Sequence, residues 1–211
     1  MSGGTPVDPG SRGYLNELSR KAIHLTFVLL PLQMVYEYLP WPRSNTDYRS
    51  FLLGLGIVFL AIDWLRVHER RFREVFRRFF SGMVREHEAF TLLGSSYLVI
   101  AAIIAVSVFP RPVAAAALGF TILGDAVAAM VGRGWGRIPL YGKTLEGALA
   151  GLAACIAWGA LVHAATGLPW DVVIAGALTA SLIELLPIPV DDNLAMTLIS
   201  AFAMHFLWTN L

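Results

Sequence analysis

The sequence predicts an all-α integral membrane protein of about seven transmembrane helices plus one amphipathic helix lying in the cytoplasmic interface. Three observations lead there. Of 211 residues, 56% are hydrophobic and only 15% charged, and the mean hydropathy is +0.63, a balance that excludes an ordinary soluble domain. The apolar residues fall into runs near the ~20 residues that cross a bilayer. The sixteen basic residues are divided unevenly among the connectors between those runs, which is how orientation is encoded.

In chain order, residues 1–13 are rich in Gly, Ser and Pro and read as a disordered tail, leaving 14–211 as a single polytopic membrane domain. Spans are expected over 22–39, 50–66, 92–109, 112–131, 146–166, 171–186 and 194–209. The first follows Arg20 and Lys21 in the manner of a signal peptide, yet it ends in YLPWPR with no small-residue cleavage site, so it reads as a retained anchor. Pro110 and Pro112 leave almost no connector between the third and fourth spans, which predicts a tight helical hairpin. Between the second and third, residues 66–88 set Phe72, Val75, Phe76, Phe79, Phe80 and Met83 at helical spacing with arginines opposite them. That pattern suits a helix in the interface, with Phe rings at the acyl boundary and guanidinium groups on anionic headgroups. It argues against nucleic-acid binding, which would leave the Phe stripe in water. Cys155 is the single cysteine, so no intrachain disulfide forms.

Counting Lys and Arg by alternate sides gives the topology. One side collects Arg12, Arg20 and Lys21, then Arg66, Arg70, Arg71, Arg73, Arg77, Arg78 and Arg85, then Arg133, Arg137 and Lys143; the other has Arg43, Arg49 and Arg111. The positive-inside rule therefore predicts a cytoplasmic amino terminus and an external carboxyl terminus. With that orientation nearly all the membrane-edge acids fall on the cytoplasmic face: Asp63, Glu86, Glu88, Asp125, Glu146, Glu184, Asp191 and Asp192. Charge at membrane depth costs a few kcal/mol and is kept where it pairs, binds ions or faces a wet cavity. Asp125, about two turns inside its helix, is the strongest functional candidate, whereas Glu184 and Glu86 also fit as markers of helix ends.

The segment from Gly124 to Gly147, GDAVAAMVGRGWGRIPLYGKTLEG, lies between two of the apolar runs. Acids beside a basic, glycine-rich stretch suit phosphate and metal: carboxylates hold Mg²⁺, Lys and Arg neutralise phosphate oxygens, and glycines let backbone N–H groups approach. Gly132, Gly134, Gly136 and Gly142 fit a loop, while Gly119, Gly147 and Gly151 fit close helix contact. The start of the fifth span, at Thr144 to Gly147, offers a positive dipole end and unpaired N–H groups. A Walker A loop is excluded, because five residues separate Gly136 from Gly142 where four are needed, and no strand precedes them. No zinc-type His/Cys spacing and no Gly-x-Ser-x-Gly elbow is present. His24 lies near the acids, whereas His163 and His205 fall at the opposite ends of their helices, and His68 and His87 belong to the interfacial segment.

These residues resemble a known family, the CTP-dependent lipid kinases that include dolichol kinase, phytol kinase and the yeast-type diacylglycerol kinase, related to the phosphatidate cytidylyltransferases. The likeness lies in ELSRKAIHL (Glu17 to Leu25), in Asp63 with Arg66, and in Arg85 and Glu88 followed by Gly94 and Tyr97. It is densest in Gly124-Asp125, Gly132-Arg133, Gly136, Lys143-Thr144-Leu145-Glu146-Gly147 and Asp191-Asp192-Asn193-Leu194. In all it covers about residues 17 to 205. The resemblance implies transfer of the γ-phosphate of CTP, or another nucleoside triphosphate, to a lipid hydroxyl at the cytoplasmic face, with Mg²⁺ or another divalent cation.

On that likeness Asp125 with Asp191 or Asp192 would hold the metal, Lys143 and Arg133 the triphosphate, and Asn193 and Thr144 the nucleotide or a metal-bound water. Gly132, Gly136 and Gly142 would line the phosphates. Glu88, Asp63 and Glu146 are candidates for a second metal or for the hydroxyl proton, and Arg20, Lys21 and His24 for orienting phosphates. The chain is short for the family, which suits a prokaryotic plasma-membrane protein. CDP-lipid synthesis is a near alternative, disfavoured by the absence of a Ser-x-x-Lys-Arg-x-x-Lys-Asp signature. A transporter of anionic or lipid substrates is the alternative of another class, disfavoured because no internal repeat is evident and the acids gather on one side.

Overall fold

Pro31 divides the first apolar run. Its missing N–H cannot bond to the Phe27 carbonyl, so the chain tightens there into short-range bonds from Phe27, Val28 and Leu30 amides to the carbonyls of His24, Leu25 and Phe27. The structure, a computed structural model, describes residues 20–80, 84, 88 and 90–210. The expected tail at 1–13, together with Glu17, Met83, Arg85, Glu86 and His87, lies outside the described residues. The predicted span 22–39 is thus two short helices, α1 (20–26) and α2 (Leu29–Tyr36), with a turn at 27–28. Glu37 closes α2 in the left-handed conformation (φ 49°, ψ 38°), and its carboxylate pairs with Arg111 at 2.7 Å.

α3 (Asn45–His68) starts earlier than hydropathy suggested because Ser44 and Asp47 form a reciprocal capping box. At its other end Arg73 donates to the carbonyls of Arg66 and Val67, satisfying last-turn acceptors. α4 (Arg70–Phe80) is the expected amphipathic helix, shortened: Phe72, Phe76 and Phe80 stack at i, i+4 spacing, and Val75 and Phe79 stand exposed. The first three residues assigned to it, 66–68, instead complete α3.

α5 (Gly94–Val108) leads through Phe109-Pro110 into α6 (Arg111–Gly119). The turn is tight as predicted, but α5 packs chiefly on α3 and α10. α6 runs through one π-helical turn, Phe120–Gly124, into α7 (Asp125–Trp135), a continuous rod of 25 residues. This rod is the centre of the molecule, because Val113 to Leu118 present mostly Ala on every side, and small side chains let neighbouring helices approach. One apolar cluster joins it to α8, α9 and α10 through Phe120, Trp158, Val173 and Met204. A second joins it to α2, α3 and α5 through Met34, Tyr48, Leu52 and Leu98.

An antiparallel ribbon then interrupts the helices: β1 (Pro139–Leu140) pairs with β2 (Lys143–Thr144), Leu140 opposite Lys143. Tyr141 and Gly142 turn it with positive φ at both positions (51° and 81°), which the hairpin twist requires. The fold is therefore mostly helical rather than all-α. α8 (Leu145–Thr166), α9 (Trp170–Leu185) and α10 (Asp192–Asn210) follow and pack on one another in sequence.

Among the described residues three helices are long and apolar enough to cross a membrane: α3, the α6–α7 rod and α8. Of the remaining predicted spans, the first is divided, α5 and α9 are short at 15 and 16 residues, and α10 is long enough at 19 but less apolar, carrying Asp192, Asn193, His205 and Asn210. Hydropathy counts apolar residues but does not register where Pro or a cap ends the helix. Large apolar side chains nevertheless point outward along the helices, among them Ile57, Leu149, Leu182 and Phe202, as a lipid-facing surface requires.

Gly119 shows how closely the central rod is packed. A Cβ there would fall 1.9 Å from Trp158 Nε1, and that indole N–H donates to the Ala115 carbonyl at 3.1 Å. Gly119→Ala is expected to lower stability by about 1–3 kcal/mol through overpacking, read as a lowered midpoint of thermal unfolding in detergent.

Candidate functional site

The π turn delivers Asp125. Inserting one residue into the helical ladder changes the angular register of everything after it, and the buried Thr121 and Thr197 hydroxyls, 2.9 Å apart, tie this turn to α10. α7 then lies against α8 with almost no side chain between them. Cβ atoms added at Gly124, Gly132, Gly147 and Gly151 would meet Cys155 Sγ, Thr144 Oγ1, the Ala128 carbonyl and Ala128 Cβ, each under 3.0 Å away. Gly136 is as tight, 2.2 Å from the Gly132 carbonyl and 2.5 Å from Thr144 Cγ2. Gly132 and Gly134 therefore lie in helix and not in the expected loop, and Gly132 and Gly136 serve close packing. Of the four, only Gly142 needs its glycine for a turn.

This packing leaves a cleft of about 260 Å³ at one end of the bundle. Its walls bring together Asp125 and Arg133 of α7, Lys143 and Thr144 of the ribbon, Lys21 of α1, Glu184 of α9 and Asp192 of α10, with Gly132, Gly142 and Gly147 between them. The Lys21 ammonium and the Asp125 carboxylate form an ion pair with side-chain exposures of 3% and 14%. Lys143 lies 2.9 Å from Glu184 Oε1 and 3.6 Å from Asp192 Oδ2, and also donates to the Glu184 carbonyl. Three cations thus face three acids. Each lysine bridges elements far apart in sequence, so the cleft exists only in the folded chain.

A second knot of polar groups stands beside it. Asp63 Oδ1 accepts from the Arg66 guanidinium at 3.0 Å, and Oδ2 accepts from the Leu93 amide at 3.1 Å and the Ser96 hydroxyl at 2.6 Å. Arg66 also donates to the carbonyls of Glu88 (2.7 Å) and Thr91 (2.5 Å). Glu88 Oε1 accepts from the Gly94 amide at 3.0 Å, while Asn193 Nδ2 donates to the Gly94 carbonyl at 3.1 Å and to Asp191 Oδ1 at 3.0 Å. A Cβ on Gly94 would meet Asn193, Glu88 and, at 4.0 Å, Arg20. Arg20 and His24 of α1 lie within electrostatic reach of Asp125.

Several expected roles change place. Asp63 does not line the cleft; Oδ2 holds the start of α5 through Leu93 and Ser96, and Oδ1 holds Arg66 of its own helix. Glu146 accepts from the Ile138 amide at 3.2 Å and so fixes the base of the ribbon. Asp191 is engaged with Asn193, and the acid that joins Asp125 and Asp192 at the cleft is Glu184, which hydropathy allowed equally as a helix-end marker. The one signal in the sequence is that α9 carries no cation to pair with it; its burial and its partner Lys143 come from the fold. The start of α8 is also less open than predicted, since the Leu145 amide bonds to the Ile138 carbonyl at 2.9 Å and the Gly147 amide to Thr144 Oγ1 at 3.2 Å.

Among the described residues no group of three or more His, Cys, Asp or Glu side chains is gathered as a metal cluster. A Mg²⁺ ion carried on nucleotide phosphates needs only one or two protein carboxylates, and Asp125 and Asp192 can supply those when their lysines turn to the phosphates. The donor set therefore fits a phosphate-borne cation better than a resident one.

No family model matches the chain, and no solved structure matches it. An uncharacterized protein of Rickettsia prowazekii (strain Madrid E) is 24% identical over 189 residues, spanning 86% of this chain and 90% of that protein. The likeness extends over nearly the whole length of both chains.

Proposed function

We propose that the protein is a membrane lipid kinase that transfers the γ-phosphate of CTP, or another nucleoside triphosphate, to the hydroxyl of a lipid alcohol. The observation that carries this reading is the cleft itself. It sets Lys21, Arg133 and Lys143 against Asp125, Glu184 and Asp192 at one end of an apolar bundle. Phosphoryl transfer asks for that charge composition, because its catalysis is mainly positioning and neutralisation of spreading negative charge. The residues through which the chain resembles the CTP-dependent lipid kinases supply most of these groups.

In this reading the polypeptide crosses the membrane about seven times, the shorter helices included. Its amino terminus and cleft are cytoplasmic and its carboxyl terminus external, in a prokaryotic plasma membrane. Lys143 and Arg133 hold the triphosphate, and Lys21 releases Asp125 as phosphate oxygens replace its carboxylate. Asp125 and Asp192 would hold Mg²⁺, which when bound would screen the phosphate charge. The lipid hydroxyl oxygen forms a bond to the γ-phosphorus, the bond from that phosphorus to the β–γ bridging oxygen breaks, and the nucleoside diphosphate leaves. The hydroxyl proton passes to the carboxylate of Glu88. Asn193 and Asp63 position the α5 and α10 starts around these groups.

The test is transfer of label in lipid nanodiscs containing Mg²⁺, with polyprenol, phytol or diacylglycerol and γ- or α-labelled CTP, ATP or UTP. Label entering lipid from the γ position alone is the expected result. Label from the α position would show CDP-lipid synthesis instead, and no label from any pairing would remove the enzyme reading and favour transport.

A further inference from the structure

α1 has a second face. Lys21 points into the charged cleft, and Arg20 and His24, one turn apart and roughly 60–100° around the helix from it, line a second cavity of about 260 Å³. Its head is polar, with Glu88 and Gly94 beside Arg20, and the rest is apolar: Phe27 from the α1–α2 turn, Phe59 and Ile62 from α3, and Phe76 and Phe80 from α4. A larger cavity of about 760 Å³ lies along α2 and α3, lined by Leu30, Leu52, Leu55, Leu98 and Ile122. Phe27 lines both cavities. Its ring meets Phe59 edge-on with centroids 5.8 Å apart, so Phe27, backed by Phe59, is a wall that the two cavities share.

The break that Pro31 imposes gives that wall its setting. Phe27 lies in the turn at 27–28, outside regular helix, with its ring between those of His24 and Phe59. From Ile62 to Phe51 the lining of α3 descends eleven residues, roughly 16 Å at 1.5 Å per residue. That is about half of a ~30 Å hydrocarbon core. An amphiphile with one polar end and one long chain matches this shape: polar groups at the top beside the acids, one apolar path below, one ring to pass.

We propose that these two cavities form one acceptor path, in which the hydroxyl of a single-chain, long linear alcohol lies at Arg20, His24 and Glu88 while its hydrocarbon tail passes Phe27 into the cavity between α2, α3 and α5. Phe27 is then the residue that decides which tails enter. The inference rests on the lipid-kinase reading for the identity of the head group, but the path itself is tested without nucleotide.

The experiment uses the full-length protein in nanodiscs and a long linear alcohol bearing a photoactivatable diazirine at its tail end, with adducts mapped by peptide mass spectrometry. The expected result is adducts on the α2, α3 and α5 residues of the larger cavity, reduced at least tenfold in Phe27→Trp and displaced by unlabelled linear alcohol but not by diacylglycerol. Should Phe27→Trp fail to fold, Leu55→Trp, which fills the larger cavity directly, is expected to give the same loss. Adducts spread over the outward faces of α8 and α10, equal labelling in both variants, or displacement by diacylglycerol would overturn the proposal. Adducts in the path without phosphoryl transfer from any nucleotide would remove the kinase reading and leave the path standing. Transfer with adducts elsewhere would do the reverse.

Discussion

Asp125→Asn is expected to reduce phosphoryl transfer by at least two to three orders of magnitude, about the loss on removing one preorganised group that stabilises developing charge. The amide keeps the size of the side chain and removes its charge, so on the kinase reading a cation on the phosphates would lose one of its two carboxylates. The substitution also strands Lys21, whose side chain is only 3% exposed. An uncompensated buried charge of this kind costs about 3–5 kcal/mol. Activity and stability would then fall together, which alone would not separate a chemical role from a structural one. The double variant Lys21→Met/Asp125→Asn makes the separation. It removes both charges and is expected to recover most of the thermal stability in detergent while transfer stays absent. Wild-type turnover in Asp125→Asn, or recovery of turnover in the double variant, would refute the assignment of Asp125.

Arg66→Met has the largest expected effect on folding. Its guanidinium pairs with Asp63 and donates to the carbonyls of Glu88 and Thr91, and both side chains are buried. Removing it leaves the Asp63 carboxylate without its counter-charge, and about 3–5 kcal/mol of destabilisation follows. Asp63→Asn/Arg66→Met is expected to regain part of that, because the Asn oxygen can still accept from the Leu93 amide and the Ser96 hydroxyl. Transfer should remain low even in the double variant when the protein is folded, since the segment carrying Glu88 into Gly94 is held through Arg66. Thermal unfolding and turnover measured on the same nanodisc preparations check both halves, and a double variant with full activity would show that the knot does not position the site.

Much of the site was legible because charge in an apolar chain is conspicuous. Asp125, Lys143 and Arg133 stood out against their surroundings, and the cleft gathers all three with Lys21 and Asp192. The glycines were harder. Their spacing suggested a flexible loop, yet Gly132 and Gly136 are required by contacts to Thr144 and to the helix backbone that no local pattern records. Glu184 was ambiguous for a related reason: a carboxylate near a helix end looks the same whether it marks the end or meets Lys143 from 41 residues away.

By itself the sequence determined the apolar, helical character of the chain, the arginine-rich amphipathic α4 and the collection of acids and bases toward one end. These follow from composition and from periodicities of a few residues, which are local. Only the tertiary structure decided that three helices among the described residues are both long and apolar enough to span, that Pro31 splits the first apolar run, and that a two-stranded ribbon stands within the segment read as a loop. It also decided which acids do what. Asp63, Glu146 and Asp191 hold backbone or neighbouring side chains, while Asp125, Glu184 and Asp192 face the lysines. That distinction depends on which hydrogen-bond donors arrive from other helices, and a carboxylate's own neighbours in sequence do not specify them.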